Sequence, residues 1–236
     1  VRPSLRPAFV DAMAPLRTAP GFRERLVAAP FGEEVLHRMR AIIRDLPSSQ
    51  VERHEIGTFG RGVVHDHPWF TELQRAIVPL ACELAGEAVE PTYNFLSLYD
   101  DLGVCPPHLD TPISKWTLDL CIEQSEAWPI HFSKVVPWPE GRAYAVDDWR
   151  DRVLRATELD FRSWSLRPGE ALWFSGSSQW HYRERLETRS VRPFCHLLFF
   201  HFMPAGLADV AEPANWPRLF DCPELAAVVS PDPDAA

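Results

Sequence analysis

Residues 98–120 read LYDDLGVCPPHLDTPISKWTLDL, with His108, Leu109 and Asp110 near the centre. Residues i and i+2 of an extended segment point to the same side, so His108 and Asp110 can share one ion. Pro106 and Pro107 hold the approach to His108 extended, and Pro112 does the same just beyond Asp110. The triplet alone is a weak signal. With 9 histidines and 33 acidic residues in 236 positions, roughly one His-x-acid triplet is expected by chance. Its setting carries the reading.

From Thr92 onward the texture is β. The runs YNFLSLYD (93–100), KWTLDLCIE (115–123), WPIHFSK (128–134), LDFRSWSL (159–166), EALWFSG (170–176) and FCHLLFFHFM (194–203) are short, several alternate, and turn residues separate them. RPGEA (167–171) reads as a tight Pro-Gly turn. Upstream the period changes. Val35, Leu36, Met39, Ile42, Ile43 and Leu46 fall at helical spacing before Pro47. A second helix opens at Pro68, carries Phe70, Leu73, Ile77, Leu80 and Leu84 on one face, and closes at Gly86. Helices first and many short strands after predict a mainly β fold, a sandwich or barrel with N-terminal helices as buttress. The expected organisation is one domain over 1–236: an N-terminal arm (1–31), a helical buttress (32–91), a β core (92–203) and a C-terminal arm (204–236).

Bulk properties narrow the function. The net charge is −9 with no lysine/arginine block, which argues against nucleic-acid binding. Five scattered cysteines without a C-x-x-C pair read as reduced thiols. The longest apolar run, 197–203, is too short for a membrane span and contains His201. No signal-peptide pattern shows at the N-terminus, so the expected setting is the cytoplasm. The sequence leaves the oligomeric state open.

A metal needs a third ligand, and His181 is placed best. It follows LRPGEALWFSGSSQW, a strand, a Gly/Ser turn and the start of another strand, and lies far enough from His108 for intervening strands. Two histidines and one carboxylate leave half an octahedron open, the arrangement non-haem Fe(II) oxygenases use to admit cosubstrate and dioxygen.

Residues 93–203 resemble the double-stranded β-helix (jelly roll, cupin-like) of Fe(II)/2-oxoglutarate dioxygenases, and most resemble the prolyl-4-hydroxylase-like branch. The pattern carrying the resemblance is Tyr99, Gly103, His108-Leu109-Asp110, Pro168-Gly169-Glu170, His181, and then Arg189 or Arg192. It covers a little under half the chain. The resemblance implies that His108, Asp110 and His181 hold Fe(II), and that 2-oxoglutarate chelates the iron through its keto-acid end. The far carboxylate would pair with an arginine, whose planar fork suits it. Arg192, eleven residues after His181 and leading into PFCHLLFFHF, is the favoured partner and Arg189 its rival, while Tyr99 would donate its hydroxyl to the cosubstrate. Two departures bear on those contacts: Cys105 stands where that branch often has a tyrosine, and Phe194 where some relatives have Ser or Thr. With Asp110 present, the resemblance implies O2-dependent hydroxylation of a C–H bond, or another oxidation begun by hydrogen abstraction, with release of succinate and CO2. The expected substrate is a small molecule or amino-acid-like unit. Two alternatives are a cupin-like metalloenzyme that does not use 2-oxoglutarate and a non-catalytic jelly-roll binding protein.

Other candidates are weaker. His65 and His67 in HDHPWF could bind metal or substrate, but capping of the following helix or plain exposure is the simpler reading. His196 and His201 lie five apart in an apolar strand, face opposite sides and read as mostly structural, with one near the pocket at most. The long polar segment 134–160 offers Trp138, Arg142, Tyr144 and Trp149 as substrate contacts.

Overall fold

The structure is a computed structural model, and it describes residues 3–138, 147–186 and 192–226. In chain order its helices are α1 (Arg6–Met13), α2 (Glu33–Asp45), α3 (Ile56–Phe59), α4 (Pro68–Ala76), α5 (Val78–Ala85), α6 (Trp149–Arg155), α7 (Ala208–Ala211) and α8 (Trp216–Leu219). The strands are β1 (Arg25–Val27), β2 (Arg61–His65), β3 (Val89–Tyr99), β4 (Cys105–His108), β5 (Trp116–Gln124), β6 (Ile130–Val135), β7 (Arg162–Trp164), β8 (Ala171–Phe174), β9 (Gln179–Arg183) and β10 (Cys195–Pro204).

Two antiparallel sheets result. One has six strands in the order β1-β8-β5-β10-β3-β2, the other four in the order β4-β9-β6-β7. From β3 onward the chain passes repeatedly between them, giving the jelly-roll connectivity expected from the sequence. Side-chain alternation explains why. On β10, Leu198, Phe200 and Phe202 face outward into a core shared with Leu36 and Met39 of α2 and Phe70 of α4. Cys195 and Leu197 face inward and pack with Ile130 and Phe132 of β6 in the opposite sheet. β5 repeats the pattern: Trp116, Leu118, Leu120 and Ile122 pack outward, while Thr117 and Asp119 are buried at the alternate positions. The inner face is therefore mixed: Thr117 and Asp119 are polar groups set among apolar side chains, and each has a partner there, His201 and Arg183.

Three details depart from the sequence expectation. The second predicted helix is two, α4 and α5, broken at Ile77. Pro79 lacks the N–H that a continuous helix needs and its ring crowds the preceding turn, so the chain restarts. The N-terminal segment contributes β1, paired with β8, and the buttress contributes β2, paired with β3. At three and five residues these strands are too short for periodicity to announce them. Among the described residues, no helix is long and apolar enough to cross a membrane.

Candidate metal centre

His108 ends β4 and pairs directly with His181 on β9, so the two imidazoles leave neighbouring strands side by side with ring centroids 4.1 Å apart. Two residues on, the Asp110 N–H donates to the Gly176 carbonyl at 2.9 Å and fixes the aspartate against the turn between β8 and β9. Asp110 Oδ1 then lies 3.5 Å from His108 Nε2 and 3.6 Å from His181 Nε2. Among the described residues these three form the one group whose ligand atoms all lie within 4.8 Å of one another in a metal-ready arrangement.

The hydrogen bonds test whether the donors fit a metal. His108 Nδ1 is 2.9 Å from the Pro106 carbonyl, and His181 Nδ1 is 3.0 Å from the Gln179 carbonyl. A carbonyl only accepts, so each Nδ1 carries the proton and donates. Each Nε2 therefore turns a lone pair toward the Asp110 carboxylate. Three electron-pair donors facing one point repel unless a cation stands among them, and backbone-oriented histidines of this kind are the usual support of a metal. Without metal a proton serves: burial opposes charge on His108, but the Cys105 thiol and Asp110 outweigh it and hold its pKa well above the ordinary value. Burial, and then the charge on His108, push His181 down to about 4, so it stays neutral as a ligand must. Burial would raise the Asp110 carboxyl, but the two histidines outweigh it and keep it well below the usual range.

The triad opens on a cavity of about 260 Å³. Tyr93 and Phe95 of β3 and Phe199 and His201 of β10 line one wall, their rings nearly parallel. Tyr99 lies at one end and is buried, as is Arg183, while Arg61, the other arginine of the cavity, keeps 12% of its side chain exposed. Arg61 reaches from β2, donating from Nη1 to the Tyr99 hydroxyl at 2.8 Å and to Ser97 Oγ at 3.2 Å, and from Nε to Glu55. Arg183 donates to Asp119 Oδ2 at 2.7 Å and to the Trp128 carbonyl. Burial pushes the Tyr99 phenol up, and the charge on Arg61 only partly offsets it.

The structure thus brings His108, Asp110, His181 and Tyr99 to one cavity. Arg192 is exposed ahead of β10 and does not line that cavity, because the inward positions at the start of this strand are Cys195 and Leu197. Arg189, Arg142 and Tyr144 lie outside the described residues. Trp138 sits under Arg17 at 5.5 Å, and Trp149 is on α6 beside Trp180, both away from the triad's cavity. His67 caps α4, accepting from the Trp69 N–H at 3.3 Å, and His65 stands at the cavity rim, 2.9 Å from Glu52. His196 faces Glu123 at 3.0 Å, whereas His201 faces inward with Nδ1 3.0 Å from the Thr117 hydroxyl.

Arg61, Arg183 and Gly176 escaped the sequence reading. For Arg183 a signal existed, since it follows His181 by two residues in a strand and shares its side. Arg61 gave none, because nothing local shows where β2 pairs.

No family model and no curated protein matches the sequence. Solved structures do match by shape. HygX from Streptomyces hygroscopicus, with nickel and 2-oxoglutarate bound, aligns over 78% of this chain and 83% of its own, with TM-score 0.58 and 11% identity. The non-haem alpha-ketoglutarate-dependent epimerase SnoN from nogalamycin biosynthesis aligns over 88% and 90%, with TM-score 0.58 and 16% identity. A Pseudomonas putida prolyl-4-hydroxylase aligns over 80% and 98%, with TM-score 0.50 and 11% identity. The fold of this chain is the jelly roll of the 2-oxoglutarate-dependent enzymes.

Proposed function

We propose that the chain is a non-haem Fe(II)/2-oxoglutarate-dependent oxygenase that hydroxylates a C–H bond of a small molecule or amino-acid-like substrate. The observation that carries this reading is the triad: two histidines held by backbone carbonyls and one carboxylate, converging inside a jelly roll. His108, Asp110 and His181 would hold the iron, leaving positions for cosubstrate and dioxygen. When bound, iron and 2-oxoglutarate supply the oxidation: one oxygen atom enters the substrate and the other enters succinate as CO2 leaves. The protein's part is to orient. Arg61, with Tyr99 beside it, is the proposed partner of the far carboxylate, since its Nη2 carries none of the bonds to Glu55, Ser97 or Tyr99. Both terminal nitrogens of Arg183 are already engaged, with Asp119 and Trp128, which suits a positioning role. Phe95, Phe199 and Phe174 give the cavity apolar walls that exclude water from the reacting C–H.

One observation favours a metalloenzyme that does not use 2-oxoglutarate: each cation in the cavity already faces a carboxylate, Glu55 or Asp119. Substrate-independent turnover decides between the readings. Purified protein with Fe(II), ascorbate and air should convert 2-oxoglutarate slowly to succinate, and Arg61→Met should weaken 2-oxoglutarate about tenfold or more. Metal binding without any succinate formation would favour the second reading.

A further inference from the structure

Away from the triad's cavity lies a larger one of about 790 Å³, within the size range of small-molecule sites. Its walls come from both arms of the chain. Met13 and Leu16 stand on one side, Val210, Ala211 and Trp216 on another, and Ile113 and Met203 belong to the jelly roll. Thr111, Pro112 and Ile113 on its wall follow Asp110 directly in the chain.

The charge on this lining is one-sided. Glu90 and Glu212 face the cavity, and no lysine or arginine lines it among the described residues. Glu90 is half-buried and accepts no hydrogen bond among the described residues; its Oε1 is shut off from solvent, so the carboxylate is short of donors that a ligand N–H at its accessible side would supply. Glu212 already accepts from the Ala214 N–H at 3.2 Å, so Glu90 is the freer acid. The Trp216 indole N–H is tied to the Val210 carbonyl at 2.8 Å, which fixes the ring as part of the wall. An indole and carboxylates lining one largely apolar cavity is the chemistry that receives an ammonium group.

We propose that this cavity binds a small amphiphilic cation, an apolar body carrying an ammonium group that meets Glu90 beside Trp216. The body fills the space between Met13, Ile113 and Met203, and the two acids select against anions.

Calorimetric titration with n-octylamine, n-octanol and n-octanoate, below their aggregation limits at pH 7, tests this. The apolar bodies are alike and the head groups are positive, neutral and negative. Wild type should bind octylamine saturably at one site, about tenfold or more tighter than octanoate. Glu90→Gln should bring the two within about threefold, and Ala211→Phe, which fills the chamber, should abolish saturable binding of all three. Octanoate binding as tightly as octylamine, no saturable octylamine binding, or octylamine binding that survives both substitutions would overturn the proposal. The titration uses neither metal nor 2-oxoglutarate, so its result is separate from the reading of the triad.

Discussion

At Gly176 a single methyl group would press directly on the proposed metal ligand Asp110. A Cβ built there would lie 2.1 Å from Asp110 Oδ2, 2.9 Å from its Cγ and 2.8 Å from the Ser114 carbonyl oxygen. Ordinary contact begins near 3.4 Å, so the carboxylate in Gly176→Ala must retreat by about 1.3 Å, and the Ser114 carbonyl limits the escape routes. The backbone at 176 needs no unusual φ, so the effect is steric rather than conformational. A ligand set tolerates roughly 0.5 Å of misplacement, and a displaced carboxylate costs metal affinity on the order of 10–100-fold. Asp110 N–H bonds to the carbonyl of the same glycine, so the methyl group acts on a segment held by its own backbone. Zinc(II) titration of the purified variant, beside wild type and Asp110→Ala, measures the change. The variant should remain folded by circular dichroism and bind zinc between those two limits. Affinity within twofold of wild type would refute the argument that Gly176 positions Asp110.

Other outcomes follow from buried contacts. Gly60 has φ +64°, and a Cβ there would lie 2.2 Å from the Leu102 carbonyl carbon; Gly60→Ala should lose at least about 2 kcal/mol in urea unfolding. Asp119→Ala leaves the Arg183 guanidinium, whose side chain is 3% exposed, without its carboxylate. The loss should be about 3–5 kcal/mol, and the double variant Asp119→Leu/Arg183→Met should recover most of it in the same assay. Arg192→Ala should leave 2-oxoglutarate affinity within about twofold in calorimetry, because an exposed side chain outside the cavity touches nothing there. A larger loss would return the carboxylate-binding role to Arg192.

The outward-facing halves of β3, β5 and β10 were legible as alternation, and His108, Asp110 and His181 could be picked because proline-held extension and strand spacing are local properties. The cations were not. Arg192 fits by spacing along the chain, yet position in a strand decides direction, and Cys195 and Leu197 occupy the inward sites where an arginine would be needed. Arg61 enters the cavity only because β2 pairs with β3 in the register Arg61↔Tyr99. Pairing register depends on long-range contacts that short strands do not advertise. Gly176 was invisible for the same reason, since its role is the space it leaves for a residue 66 positions away.

If His108, Asp110 and His181 hold iron with 2-oxoglutarate chelated to it, anaerobic addition of Fe(II) and then 2-oxoglutarate to the purified protein should give a weak metal-to-ligand charge-transfer band in the visible spectrum. The band should be present in wild type and absent from His108→Ala and His181→Ala. A wild type without the band, or a band that persists in both variants, would rule the proposed iron site out.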